Sequence, residues 1–137
     1  MEFNLLNEIQ QLSSFLEKPK NDVAWWFKNG DRDAIFFAVP YKQGGGFAPF
    51  YVDFVVMMKD GSIGLFDPHG IHLADFPVKS NGLMSYISHT TNKKQKVFGG
   101  IVANTDNTKY TGQWMLYTGD GKDVRSGDWK DWKQLDI

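Results

Sequence analysis

Residues 4–17 place Leu5, Leu6, Ile9, Leu12, Phe15 and Leu16 at helical spacing, and Pro19 ends the pattern. A first helix is predicted there. Residues 22–29 are apolar and aromatic until Gly30-Asp31 turns the chain. Residues 34–41, Ala-Ile-Phe-Phe-Ala-Val-Pro-Tyr, read as a short buried strand, with Pro40 near its end as suits an edge or terminus. Gly44-Gly45-Gly46 makes the next connection, a hairpin loop. Two further apolar, aromatic-rich runs within residues 50–70 flank Lys59-Asp60-Gly61, a turn signal. After a loop over residues 71–76, Pro77 opens a second helix that reaches about His89 and is weakened by Gly82. Residues 97–103 and 112–118 supply two more strands. The order αβββαββ predicts an α/β (α+β) domain in which a mixed central β-sheet is flanked by helices.

The hairpin over residues 50–70 carries the chemistry. Each of its apolar runs holds an aspartate, Asp53 in the first and Asp67 in the second. Burying a carboxylate there is costly unless something in the site wants negative charge. A divalent cation would, since hard ions such as Mg²⁺ are held by one or two carboxylates together with waters and phosphates. Register decides whether the two acids cooperate. A two-residue Asp60-Gly61 loop would set Asp53 against Pro68 and send the acids to opposite faces. A three-residue loop, Lys59-Asp60-Gly61 with Gly61 left-handed, sets Met58 against Ser62 and Asp53 against Asp67, with His69 on the same side. The three-residue loop is the expectation.

This hairpin resembles the PD-(D/E)xK nuclease signature, in which an Asp ends one strand and an acid, any residue and a Lys follow on the next. Trp25-Trp26-Phe27-Lys28-Asn29-Gly30, Ala38-Val39-Pro40-Tyr41, Phe50-Tyr51-Val52-Asp53-Phe54-Val55-Val56, Gly64-Leu65-Phe66-Asp67, Tyr86-Ile87 and Phe98-Gly99-Gly100-Ile101-Val102 extend the likeness. In this order they resemble the C-terminal nuclease-like domain of type III restriction-enzyme Res subunits and related helicases, over roughly residues 5–135. The resemblance implies a restriction-endonuclease-like fold and a DNA endonuclease that uses Mg²⁺ or Mn²⁺. It implies Asp53, Asp67 and the Pro68 carbonyl as metal ligands, with a further acid from the first helix. Glu8 is that acid or else a solvated helix glutamate. The chain would then be a nuclease domain excised from a larger helicase, with the helicase or translocase part and a modification subunit as partners besides DNA.

Two positions depart from the pattern. Val52 stands where the family has Pro, and Asp67-Pro68-His69-Gly70 stands where it has Asp-Thr-Lys-Gly. The lysine that would activate water and offset phosphate charge is therefore missing. His69 takes its place as base, metal ligand or bystander, or Lys79, just past Pro77, substitutes for it. Loss of the lysine also motivates a second reading, a catalytically silent nuclease fold kept for nucleic-acid binding or protein interaction.

Composition limits the alternatives. With 137 residues, 42% hydrophobic and 15% aromatic, the chain fits one domain with a substantial core. It has no cysteine, which rules out disulfides and thiolate zinc sites and agrees with a cytoplasmic protein. No apolar run is long enough to span a membrane. A net charge of −1 argues against a non-specific nucleic-acid coat. Lysines nevertheless cluster at Lys93, Lys94 and Lys96, while Lys18, Lys20, Lys28 and Arg32 surround the first helix-strand junction. Lys28, Arg32, Lys93, Lys94 and Lys96 are the candidate phosphate contacts, although three nearby lysines such as the last three are more often a solvated helix end. The three glycines at 44–46 lack the Lys-Ser/Thr and following helix of a phosphate loop. His72 and His89 lack zinc-site spacing, and no serine or threonine has the context of a triad nucleophile. Trp129 and Trp132, in a Gly-, Asp- and Lys-rich tail, either stack on bases or cap the edge of the core.

Overall fold

A computed structural model of the chain describes residues 2–18, 21–28, 38–43, 45–68, 76–119, 124 and 128–137. His69, Gly70, His72, Arg32, Lys20, the turn at Gly30-Asp31 and the first half of the strand expected over residues 34–41 lie outside the described residues. The elements are α1 (Glu2–Leu16), β1 (Val23–Lys28), β2 (Ala38–Gln43), β3 (Gly46–Tyr51), β4 (Phe54–Met58), β5 (Ile63–Pro68), α2 (Phe76–Thr90), β6 (Val97–Asn104), β7 (Trp114–Tyr117) and β8 (Trp132–Gln134). None of the described helices is long and apolar enough to cross a membrane.

Six strands form one mixed sheet in the order β1-β4-β5-β6-β7-β8, and β2 pairs with β3 in a separate ribbon. Among the described strands, only β5 and β6 run parallel. A parallel pair needs a crossover, and α2 supplies it. Among the described residues the expected order αβββαββ is thus corrected to αβββββαβββ. Three features account for the difference. The Trp25-Trp26-Phe27 run is an edge strand; residues 50–58 break into two strands at Val52-Asp53; and the tail adds β8. In the glycine connection, Gly46 already pairs with Gln43, so β3 begins inside the expected loop.

The two helices pack with opposite residues of the alternating strands. Leu12 and Leu16 of α1 join Phe54, Val56 and Met58 of β4, Phe66, Val102, Trp114 and Leu116 in one buried cluster. Phe76, Leu83 and Ile87 of α2 join Val55, Leu65, Val97, Ile101, Tyr117 and Trp132 in the other. Even positions of β4 therefore go to α1 and Val55 goes to α2, as strand alternation requires. Burial on both faces explains why β4, β5 and β6 read as continuous apolar runs. Trp132 settles one expectation: it is buried and packs on Tyr117 at 5.1 Å and on Trp129 at 5.0 Å, capping the core. At the end of α1, the Asn21 side-chain amide donates to the Leu16 carbonyl at 2.9 Å, closing one of the carbonyls a helix leaves open.

Gly99 holds a φ of +132° directly beside Leu65 on β5. A Cβ at Gly99 would strike the Leu65 backbone, so the closeness of β5 and β6 depends on this glycine.

Candidate functional site

The hairpin register is the one the three-residue loop demands. Phe54 pairs with Phe66, Val55 with Leu65, Val56 with Gly64 and Met57 with Ile63. The Met58 N–H donates to the Ser62 carbonyl at 2.9 Å and the Gly61 N–H to the Met58 carbonyl at 3.0 Å. Gly61 sits at φ +88°, and Asp60 accepts from the Ser62 N–H at 2.8 Å, which fixes the turn. One step past the last pair, Asp53 lies across from Asp67. The contact is direct: the Asp53 N–H donates to Asp67 Oδ1 at 2.9 Å.

Backbone geometry puts both acids at a boundary. Asp53 occupies the bend where the chain leaves the β2–β3 ribbon and enters the six-stranded sheet. Val52 before it is fully buried in the α2-side cluster and anchors that bend. Asp67 stands near the carboxyl end of β5, opposite Ile101 in the parallel pair with β6. Carboxyl ends of parallel strands are where such sheets bind ligands. Pro68 is the last residue of β5, buried and paired with Val102.

Other charged groups converge there. Glu8, from α1, is half-buried; burial and then the charge of Asp53 raise its pKa to about 7. Asp67 is only 3% exposed, and burial first and the Asp53 charge second hold its pKa well above the usual carboxylate range. The Asp53 N–H and the Lys79 ammonium oppose that rise, and Glu8 adds to it. Lys28, at the end of β1, lies 3.7 Å from Asp53 Oδ1. The structure thus gathers Glu8 from α1, Lys28 from β1, Asp53 and Asp67 from the hairpin, and Lys79 from α2. The Asp53 charge raises the pKa of both Glu8 and Asp67, which marks a place that would welcome a cation.

Lys28 is the residue whose position in this group the sequence reading missed. It was expected on a phosphate-binding surface, yet it pairs with Phe54 across β1 and β4 and so arrives beside Asp53. Nothing in the local sequence announces that register. Lys93, Lys94 and Lys96 go elsewhere. They are exposed in the connection before β6, where the Lys96 carbonyl accepts from the Ile63 N–H at the turn end of β5. Asp67 is four residues further along that strand, about 13 Å at 3.3 Å per residue. His89, exposed at the end of α2, has its Nδ1 at 2.7 Å from the Ser85 carbonyl.

The donors around Asp53 and Asp67 are all oxygens, the set a hard divalent ion prefers. Among the described residues, no three of the types His, Cys, Asp and Glu stand together as one metal-binding group. Two carboxylates at one register position suit an ion completed by water and phosphate rather than an all-protein cage. The chain matches the YagJ family over residues 1–116 and belongs to it. No curated protein and no solved structure matches the chain.

Proposed function

We propose that the protein is a divalent-metal-dependent nuclease of restriction-endonuclease-like type, hydrolysing phosphodiester bonds of DNA at the Asp53–Asp67 hairpin. The observation that carries the reading is the juxtaposition of two aspartates across one hairpin register, with a third acid from α1 and two lysines beside them. Asp53 and Asp67 would hold Mg²⁺ or Mn²⁺, with the Pro68 carbonyl as a further ligand. The ion, when bound, would supply Lewis acidity and neutralise phosphate charge. Asp67 keeps its orientation through the Asp53 N–H, and Asp53 is steadied by Lys28. Glu8 stands where a carboxylate shared between protonated and ionised forms near neutral pH can hold or release a proton. Lys79 and Lys28 are the cations that stand in for the motif lysine, Lys79 through Asp67 and Lys28 through Asp53. His69 remains the third candidate for that role.

One observation favours a silent nuclease fold kept for binding. Lys28 already neutralises part of the Asp53 charge. Plasmid nicking separates the two. The enzyme reading expects relaxation of supercoiled plasmid in Mg²⁺ or Mn²⁺, none in EDTA, and loss of activity in Asp53→Asn. If neither the natural chain nor His69→Lys, which restores the motif lysine, nicks DNA with either ion, the enzyme reading is wrong and the binding module stands.

A further inference from the structure

Strand β1 is the outer strand of the six-stranded sheet and pairs only with β4 among the described residues. Trp25 and Phe27 alternate along it on one side. Both stay in solvent, 49% and 37% exposed, although large aromatic rings ordinarily give a small domain much of its buried area. They stack on each other with centroids 6.0 Å apart and planes inclined by 18°. Their neighbour Trp26 turns the other way and packs on Phe54 in the α1-side core. The outward pair is therefore not a strand the core failed to cover; the core takes one ring of the run and leaves two parallel rings outside.

Charge is arranged along the same strand. At its start, a cleft of about 430 Å³ is lined by Lys18, Lys59, Asn21, Trp25 and Trp26, with one carboxylate, Glu17, which accepts from the Trp26 indole N–H at 2.8 Å. At its end, Lys28 reaches Asp53. The antiparallel register fixes this polarity, with Val23 against Met58 at the turn end and Lys28 against Phe54 at the carboxylate end. Lys18 and Lys59 at the start and stacked rings beyond them make the combination used to hold unpaired nucleic acid, in which bases lie on aromatic faces and ammonium groups follow the backbone, while the far end carries the Lys28–Asp53 pair. A duplex hides its base faces and gives such rings nothing to stack on.

We propose that β1 is a platform for single-stranded DNA, with bases seated on Trp25 and Phe27 and the backbone led from the Lys18–Lys59 cleft toward the carboxylates. The inference rests on the nuclease reading for its choice of polymer and narrows the substrate to strands with an unpaired segment. Binding in EDTA isolates it from catalysis. A fluorescently labelled oligothymidylate of about 20 nucleotides, long enough to exceed a single-domain site, is titrated with the full chain and compared with a duplex of equal length. The single strand is expected to bind at least about tenfold tighter, and Trp25→Ala with Phe27→Ala to remove at least about tenfold of its affinity, the scale of losing one stacked base or more. Trp25→Tyr, which keeps a ring, is expected to retain binding. Equal affinity for duplex and single strand overturns the proposal, as does unchanged affinity in the folded double variant. Concentration-dependent dimerisation that the double variant abolishes also overturns it, because the rings would then serve a second copy. The two readings fail separately. Tight single-strand binding without nicking in Mg²⁺ or Mn²⁺ removes the nuclease and leaves the platform. Nicking that is indifferent to Trp25 and Phe27 removes the platform and leaves the nuclease.

Discussion

Glu8→Gln should stabilise the metal-free protein at alkaline pH and do nothing to it in acid. Burial and the facing Asp53 raise the Glu8 pKa from 4.5 to about 7, so the folded protein holds this proton more tightly than the unfolded chain does. Protonated Glu8 therefore favours folding. Its contribution is complete below about pH 4.5 and is lost as pH rises through about 7. At about 1.4 kcal/mol per pH unit between those values, the ceiling on the loss is about 3 kcal/mol. The side chain is half-buried, and solvent screening lowers the expected effect to about 1–2 kcal/mol. For a chain of this size that is a melting-point difference of about 4–8 °C. The assay is thermal unfolding of both proteins in EDTA from pH 4.5 to pH 8.5, with Asp53, Asp67 and Tyr110 common to both. The difference should open through neutrality in favour of Glu8→Gln. A difference independent of pH, or a natural protein more stable than the variant at pH 8.5, would refute the placement of Glu8 against Asp53.

Asp67→Asn keeps an acceptor for the Asp53 N–H while removing a buried charge, so it should raise metal-free stability at neutral pH; Asp67→Ala also deletes the acceptor and should fall below Asp67→Asn by about 1–3 kcal/mol in urea unfolding. Gly99→Ala must put a methyl group into the Leu65 backbone at a φ of +132°, and should cost at least about 2 kcal/mol by the same measurement. If Lys79 replaces the motif lysine, Lys79→Ala should slow nicking about 100-fold or more while His69→Ala is tolerated; if His69 does, the pattern reverses and nicking weakens below about pH 6.5.

The parts of the fold legible in the sequence are those that local chemistry decides. Gly61 at the left-handed position sets the loop length, loop length sets register, and register brings Asp53 to Asp67. Helical spacing and Pro19 gave α1 to within two residues at its start and one at its end. What escaped is non-local. Asp53 is the one charged residue within the otherwise apolar and aromatic residues 50–58, and it reads as part of a metal site within one strand, so the break at Val52-Asp53 where the chain changes sheets went unread. Trp25-Trp26-Phe27 shows no alternation of apolar and polar residues because its outward rings are aromatic, and β1 went unread as a strand. Its register alone delivers Lys28 to Asp53. The three-residue β8 is too short to show a period and is held by Trp132 in the core. Glu8 read more readily as a solvated glutamate, since whether a helix face meets a carboxylate depends on where the sheet lies beneath it.

The central claim is that Asp53 and Asp67 together receive a divalent ion, and calorimetric titration of the full chain with Mn²⁺ at neutral pH tests it most directly. The natural protein should show a saturable site that Asp53→Ala and Asp67→Ala each abolish, with both variants still folded by circular dichroism. Binding should release protons, because the Glu8 and Asp67 carboxyls, held above their ordinary pKa values, ionise when a cation arrives. No saturable heat in the natural protein, or an Mn²⁺ affinity unchanged in Asp53→Ala, would contradict it.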